Sequence, residues 1–236
     1  MLTDKKVAVI TGTRKGIGRY LAEYYLQKGM IVYGCSRGDS DLSDDAYHHY
    51  NVDVADEKSV ISMVKDVAKR EKRIDYLINN AGIAAMNHSL LTPLSVIESI
   101  FKTNVFGTFL FCREVGRVMS RSKVGRIVNF ATVATPIKLE GESAYAASKA
   151  AVESLTKVLA KEFSPFNITV NAIGPTPIYT DLIKNVPKSK MDALLQLQAI
   201  HRFGSFEDVA NAIDFFLSDK SDFITGQVIY LGGVSF

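Results

Sequence analysis

The fold is decided by the stretch Val7-Ala-Val-Ile-Thr-Gly-Thr-Arg-Lys-Gly-Ile-Gly18. A short apolar run of strand-forming residues ends in a glycine turn, and a segment with helical periodicity follows over residues 19–27. A strand, a glycine turn and a helix in this order aim the helix N-terminal amides at a phosphate. A tight turn that needs positive φ is the simpler interpretation of the glycines. A second strand over residues 30–35, one short helix further on, favours a dinucleotide site.

The residues that end the second strand predict which dinucleotide binds. In such a site this position faces the adenine ribose, and an acidic residue there would repel a 2′-phosphate. Here the chain has Ser36 and Arg37, and Arg37 can bind a phosphate through two parallel hydrogen bonds. Lys15 in the glycine turn can approach the same group. We therefore expect NADPH rather than NADH, with ordinary surface charges as the alternative.

Further alternation of strands and helices predicts the architecture. Asn51-Val-Asp53-Val54 ends a third strand, where Asp53 is a candidate partner of the adenine amino group or a simple turn residue. An amphipathic helix over residues 57–70 precedes a strand over 74–78 that ends in Asn79-Asn80-Ala81-Gly82. Small and amide residues there suit a wall against which a cofactor packs. We predict one α/β domain over residues 1–236, a doubly wound Rossmann fold with about seven parallel strands and helices on both faces.

Composition excludes several classes of function. The chain is 47% apolar, which is ample for a core, and its formal charge of +3 is too weak to indicate nucleic acid or an anionic membrane. Cys35 and Cys112 lie in apolar surroundings and are interpreted as buried reduced thiols. We find no metal-ligand spacing, no signal peptide and no apolar run of membrane-spanning length, and we expect a cytoplasmic protein.

Candidate catalytic residues lie in the second half of the chain. If the segment ending at Phe163 is helical, Tyr145 and Lys149 lie one turn apart on the same face. A nearby ammonium is expected to lower the phenol pKa from about 10 towards neutrality, where acid-base catalysis is efficient. A solvated helix face is the alternative. Asn104 is polar among large apolar residues, and Thr132 follows a strand, where its hydroxyl suits a substrate carbonyl or caps the next turn.

These motifs together resemble the short-chain dehydrogenase/reductase family over essentially the full chain. The resemblance rests on TGTRKGIG, NNAG, KTNVFG, a hydroxyl residue thirteen positions before Tyr145, and YAASK. It implies that Tyr145 transfers the proton, Lys149 lowers its pKa and binds the nicotinamide ribose, Thr132 orients the substrate oxygen, and Asn104 supports a water relay. The expected contacts to NADP(H) come from Gly12, Arg14, Lys15, Gly16, Ile17, Gly18, Ser36, Arg37, Asp53, Val54, Asn80, Ala81, Gly82, Tyr145, Lys149, Pro175, Ile178 and Thr180.

The chain departs from the family pattern at two positions. Thr132 replaces a usual serine, which keeps the hydroxyl and adds a methyl group. In Gly174-Pro175-Thr176 a usual glycine is Thr176, which would be strained if the position needs positive φ. The family places a mobile substrate lid near residues 177–199. Its apolar candidates for facing substrate, or alternatively for core packing, are Tyr179, Leu182, Ile183, Met191, Leu194 and Leu195.

Among its relatives the chain looks most like the 3-oxoacyl-carrier-protein reductases, which dock an acidic carrier through flanking basic residues. Lys123 matches one such position, but the other is Phe166, so a free ketone, steroid, sugar or specialised metabolite is equally open as substrate. A non-catalytic cofactor-binding scaffold is the alternative of a different class. The resemblance also implies a homo-oligomer, a tetramer or dimer, formed through the helices that hold Asn104 and Tyr145.

Overall fold

A single seven-stranded parallel sheet organises the chain. The computed structural model describes residues 5–180, 186 and 188–234. The strands run in the spatial order β3-β2-β1-β4-β5-β6-β7, so the direction of winding reverses between β1 and β4. This confirms the predicted doubly wound fold. The strands are β1 (Val7–Thr11), β2 (Ile31–Ser36), β3 (Tyr47–Asn51), β4 (Tyr76–Asn79), β5 (Gly125–Phe130), β6 (Ile168–Gly174) and β7 (Val228–Tyr230).

Helices cover both faces of the sheet and lie in the connections between successive strands, except that from β2 to β3, where residues 37–46 form no helix. The described α-helices are α1 (Gly16–Gln27), α2 (Glu57–Glu71), α3 (Leu94–Phe101), α4 (Gly107–Ser122), α5 (Ala134–Ile137), α6 (Ser143–Phe163), α7 (Lys188–Gln196) and α8 (Phe206–Leu217). Short 3₁₀ turns occupy Ser89–Leu91, Ser164–Phe166 and Asp219–Ser221. The predicted helix 57–70 and the long helix ending at Phe163 are therefore confirmed.

Two hydrophobic cores lie on opposite faces of the sheet. Residues of β1 alternate between them, because successive side chains of a strand point to opposite faces. Val7 and Val9 join the core under α2, α4 and α6, whereas Ala8 and Ile10 join the core under α1 and α8. A strand buried on both faces is apolar throughout, which explains the unbroken run at the start of the chain.

A π-helical segment joins α3 to α4. Residues Lys102–Phe106 form it, so α3 and α4 are parts of one continuous 29-residue helix, Leu94–Ser122. Among the described residues, this helix is long and apolar enough to cross a membrane by length and composition alone, which the sequence-based search for such a run missed. In the fold α4 packs against α2, α6 and the sheet.

Truncating Phe111 tests the packing of this helix. Phe111 in α4 is fully buried, so Phe111→Ala is expected to lower the free energy of unfolding by about 3–5 kcal/mol. Phe223→Ala is the control because Phe223 is 99% exposed, and it should change stability by less than about 0.5 kcal/mol. Urea denaturation measures both, and equal midpoints for the two variants would contradict the assigned core.

Candidate active site

The glycine turn between β1 and α1 is held by the strands on both sides. The Gly12 N–H donates to the Cys35 carbonyl of β2 at 2.7 Å. Across the turn, Asn80 Nδ2 donates to the Thr11 carbonyl at 2.9 Å. A Cβ atom at Gly18 would overlap the Gly12 carbonyl oxygen and the Asn80 amide, so this close approach requires glycine.

The first turn of α1 presents a site for an anion. Lys15 is its N-cap and makes no side-chain cap hydrogen bond, and no acidic residue stands in the first turn, which contains Gly16 and Ile17. The backbone N–H groups and the positive end of the helix dipole therefore favour a bound phosphate. The Thr180 methyl group lies 3.7 Å from where a Cβ of Gly16 would be, so the start of the predicted lid reaches this turn.

Three residues after β4 connect the glycine turn with the predicted catalytic residues. Ala81 N–H donates to the Thr11 hydroxyl at 2.9 Å. A Cβ at Gly82 would lie 3.3 Å from Asn104 Oδ1 and 3.5 Å from Lys149 Nζ. The segment from Asn80 to Gly82 thus touches the turn at one end and the catalytic candidates at the other.

Asn104 lies at the centre of the π-helical segment and is completely buried. Its Oδ1 accepts from Ile83 N at 2.9 Å, and its Nδ2 donates to the Ile83 carbonyl at 2.9 Å and to Ser148 Oγ at 3.0 Å. Ser148 Oγ in turn donates to the Tyr145 carbonyl at 2.7 Å. Asn104 therefore ties the loop after β4 to the turn of α6 that carries Tyr145 and Lys149, and π turns of this kind occur often at functional sites.

The environment of Tyr145 and Lys149 differs from the prediction in one respect. Lys149 is buried, its Nζ donates to the Phe130 carbonyl at 2.7 Å, and burial lowers its pKa to about 8. Burial raises the pKa of Tyr145 to about 12, and a hydrogen bond with the Thr132 side chain acts in the opposite direction. The expected lowering of the phenol pKa by the ammonium is not found, because desolvation outweighs the other effects on Tyr145.

Glu142 is a neighbour of Tyr145 that the sequence-based interpretation missed. It caps α6 one turn before Tyr145, and its negative charge adds to the rise in the phenol pKa. Burial also raises the pKa of Glu142 itself. The spacing of three residues on a helix was the available signal, since residues at i and i+3 share a face.

Two cations stand near the end of β2, Arg37 and Arg14. Arg37 is exposed, and Arg14 reaches across from the glycine turn so that its Nη1 lies 3.0 Å from where a Cβ of Gly38 would be. Ser36 Oγ donates to the Gly38 carbonyl at 2.6 Å. The nearest carboxylate in sequence, that of Asp39, accepts a hydrogen bond from the Asn51 side chain at 2.6 Å. Positive charge therefore surrounds the position predicted for a 2′-phosphate.

The third strand ends earlier than predicted, at Asn51 rather than Val54. Asp53 is exposed and its Oδ1 accepts from Ala55 N at 3.0 Å, which is the turn interaction that the alternative interpretation described. Val54 is buried against Gly107 of α4. Asp53 lies beyond the carboxyl end of β3, on the edge of the sheet where the other candidates are found.

The Gly174-Pro175-Thr176 loop is unstrained at its substituted position. The φ angle of Thr176 is not in the positive region, and its side chain is buried against Gly204 and Gly232. Ile178 is also buried and forms a β-bridge with Gly204. The backbone strain that positive φ would cause at Thr176 is therefore not found.

The predicted lid contributes one described helix, α7. Met191 and Leu194 are buried on one face of it, Leu195 is half-buried, and Tyr179 is 73% exposed with its ring 4.2 Å from that of Phe203. Leu182 and Ile183 lie outside the described residues.

Both cysteines are buried and unpaired, as predicted, and burial raises the pKa of each thiol to about 12. Within the described ranges, no group of three His, Cys, Asp or Glu side chains is placed to hold a metal ion.

A glycine turn that favours phosphate and a Tyr–Lys pair at the same sheet edge, with Lys149 buried and Tyr145 half-buried, define a nucleotide-dependent oxidoreductase. A family model described as enoyl-(acyl carrier protein) reductase matches residues 12–234. The chain belongs to the short-chain dehydrogenase/reductase family, whose members bind a nicotinamide cofactor.

Known proteins of several activities are similar to this chain. An NAD-dependent glycerol dehydrogenase of Listeria innocua serovar 6a is 36% identical, over 98% of this chain and 94% of the relative. The 3-oxoacyl-[acyl-carrier-protein] reductase FabG of Buchnera aphidicola subsp. Schizaphis graminum is 33% identical, over 99% and 98%. The solved structure of ElxO with NADP bound superimposes with a TM-score of 0.89 at 29% identity, covering 96% of this chain and 97% of that one.

Removing the charge of Glu142 tests the electrostatics of the phenol. Glu142→Gln is expected to lower the pKa of Tyr145, because a neighbouring carboxylate disfavours the phenolate. Glu140→Gln is the matched control, since Glu140 is exposed on the same loop. NMR titration of ring-labelled tyrosine, with the resonance assigned through Tyr145→Phe, measures the shift. Identical titration of both variants would show that Glu142 does not act on Tyr145.

Proposed function

We propose that this protein is an NADP(H)-dependent ketoreductase that reduces a carbonyl compound to a secondary alcohol. The observation that carries the proposal is the segment Asn80–Gly82, which joins the phosphate cradle to Lys149 and Asn104. A cofactor held on the α1 N-terminus and extended along this segment brings its reactive ring to Tyr145. The whole chain then acts as one dinucleotide-binding and catalytic domain, with a lid near residues 177–199.

Each catalytic side chain has a distinct task. When bound, the nicotinamide nucleotide supplies the hydride. Tyr145 donates its phenolic proton to the developing alkoxide oxygen. The Thr132 hydroxyl, which is hydrogen-bonded to Tyr145 before substrate binds, donates a hydrogen bond to the same alkoxide oxygen. Lys149, held by the Phe130 carbonyl, presents its remaining N–H groups to the ribose hydroxyls, and Asn104 fixes the turn that carries both residues.

Lys149 also supplies positive charge beside the phenol. Its pKa near 8 makes it sensitive to an added anion, and cofactor phosphates favour its charged form. The charged ammonium then lowers the pKa of Tyr145, as the family resemblance implies.

The cofactor preference rests on Arg14, Arg37 and Ser36. Arg14 approaches Gly38 at the end of β2, Arg37 is the preceding residue, and the carboxylate of Asp39 accepts a hydrogen bond from Asn51. This arrangement attracts a 2′-phosphate through charge-assisted hydrogen bonds. The solved relative ElxO has NADP bound, whereas the Listeria relative is NAD-dependent, so the preference depends on these local residues.

The substrate is proposed to be a small free carbonyl compound. Lys123 is exposed at the end of α4, but Phe166 presents an apolar ring, 40% exposed, where a carrier-docking cation is expected. The glycerol dehydrogenase relative favours a small polar alcohol and its carbonyl partner, and the FabG relative keeps a 3-oxoacyl thioester, free or carrier-bound, as the second candidate. A panel of both classes, with NADPH oxidation as readout, separates these candidates from a non-catalytic scaffold.

Apolar side chains on the surface of the protein bear on how it assembles. We propose a cytoplasmic protein that forms a homo-oligomer. The oligomer is proposed because Phe106 of the π-helical segment, Phe109 of α4 and Val158 of α6 are 53%, 41% and 49% exposed. The neighbouring Leu110 and Phe111 are buried, so the apolar run from Val105 to Phe111 divides between core and surface.

Replacing the phenol tests the proton donor. Tyr145→Phe is expected to lower kcat for the best substrate of the panel by about a hundredfold or more, because general acid catalysis is lost while packing is kept. Fluorescence titration should show NADPH still bound. Near-native turnover in a folded Tyr145→Phe protein would refute the assigned mechanism.

Removing the guanidinium of Arg37 tests the cofactor preference. Arg37→Ala is expected to raise the KM for NADPH at least about tenfold and the KM for NADH less than about twofold, because a charge-assisted pair with the 2′-phosphate is lost. Arg121→Ala serves as control, since Arg121 is an exposed cation near the end of α4. Equal changes in both KM values would dismiss the 2′-phosphate assignment.

A further inference from the structure

A chain of hydrogen bonds crosses the sheet from the glycine turn to the loop after β2. The Thr13 and Tyr47 hydroxyl oxygens lie 2.9 Å apart, and the Tyr47 hydroxyl lies 2.8 Å from His49 Nδ1. The opposite ring nitrogen, His49 Nε2, lies 3.0 Å from the Gly38 carbonyl oxygen and 3.1 Å from Ser36 Oγ. Side chains of the turn and of the edge strand β3 thus meet the loop that carries Arg37.

The hydrogen bonds of this chain have a defined direction. The Gly38 carbonyl can only accept, so His49 Nε2 carries the proton that it donates. In the neutral imidazole Nδ1 is then an acceptor, and the Tyr47 hydroxyl must donate to it. The Tyr47 oxygen is left to accept from Thr13. Each member of the chain therefore has its own partner, and removing one member leaves its neighbour unpaired.

A glycine within β2 makes this connection possible. β2 lies between β1 and β3, and the bond between Thr13 and Tyr47 passes over Gly34. A Cβ atom at Gly34 would overlap both hydroxyl oxygens. Glycine in a strand interior weakens the strand and often marks a close approach of other groups. The contact is shielded from water, since Thr13 is fully buried and Tyr47 is 7% exposed.

The chain of hydrogen bonds ends at the loop after β2, which carries Arg37 and lies against Arg14. Gly38 accepts from His49 on its carbonyl and packs against the Arg14 guanidinium at its Cα, and Arg37 is the preceding residue. The Tyr47 hydroxyl also bonds to the Ser40 side chain, which gives the loop a second attachment. The backbone next to Arg37 and the surface that Arg14 packs against therefore depend on β3, which itself presents no cation to the site.

We propose that Tyr47 and His49 are positioning residues that set the preference for a nucleotide carrying a 2′-phosphate on its adenosine. They hold the loop so that Arg14 and Arg37 converge on that phosphate, and they take no part in hydride or proton transfer. This inference rests on the NADP(H) preference proposed above.

Binding of four nucleotides tests the inference without knowledge of the substrate. NADPH and 2′,5′-ADP carry the 2′-phosphate, whereas NADH and 5′-ADP lack it. Tyr47→Phe and His49→Phe are expected to weaken the first pair by about tenfold, the equivalent of one buried hydrogen bond, and the second pair by less than about twofold. His49→Gln should restore most of the affinity, because its amide keeps an N–H donor for Gly38.

Tyr50→Phe is the matched control. Tyr50 also lies on β3 and donates its hydroxyl to a carboxylate, that of Asp66, but on the opposite face of the sheet. It should leave the ratio of NADPH to NADH affinity unchanged. Equal weakening of all four nucleotides by Tyr47→Phe, or no weakening, would overturn the inference. If Arg37→Ala is selective and Tyr47→Phe is not, only this inference fails; if Arg37→Ala is not selective, the proposed cofactor preference fails.

Discussion

A buried ammonium is the constraint that the rest of the site satisfies. Lys149 lies 5% exposed beneath the end of β5, where a charge is costly unless it is hydrogen-bonded. The Phe130 carbonyl supplies one partner, and the Asn80–Gly82 segment leaves room beside Nζ because Gly82 has no side chain. The parallel sheet makes this possible, since the carboxyl ends of β1, β4 and β5 meet at one edge.

The π-helical turn explains how a long helix contributes to this site. A regular α-helix satisfies its own backbone and offers only its surface, whereas the irregular turn at Lys102–Phe106 places the Asn104 amide between two other elements. The three hydrogen bonds of the Asn104 side-chain amide are all made inside the protein, so Asn104 acts as a rigid connection. The glycine turn and the turn that carries Tyr145 and Lys149 are thereby held in one frame, and the proposed mechanism needs such preorganisation.

How much the sequence could predict depended on whether the property was local. The glycine turn, the alternating strands and helices, and the pairing of Tyr145 with Lys149 follow from spacing along the chain, and the fold derived from them was confirmed. The predicted direction of the Tyr145 pKa shift was wrong, because burial depends on tertiary packing. The approach of Arg14 to Gly38 and the link from Thr13 to His49 join residues of different elements across β2, which periodicity does not reveal. Relatives of similar fold differ in cofactor and substrate, so these local contacts decide the particular activity.

The most direct test of the central claim is a crystal structure of the protein with bound NADPH. We expect the pyrophosphate at the N-terminus of α1, hydrogen bonds from Lys149 Nζ to the ribose hydroxyls, and the Tyr145 and Thr132 hydroxyls facing the reactive carbon of the nicotinamide ring. A nicotinamide ring bound away from Tyr145, with Lys149 Nζ hydrogen-bonded to the Phe130 carbonyl alone, would contradict the proposed mechanism.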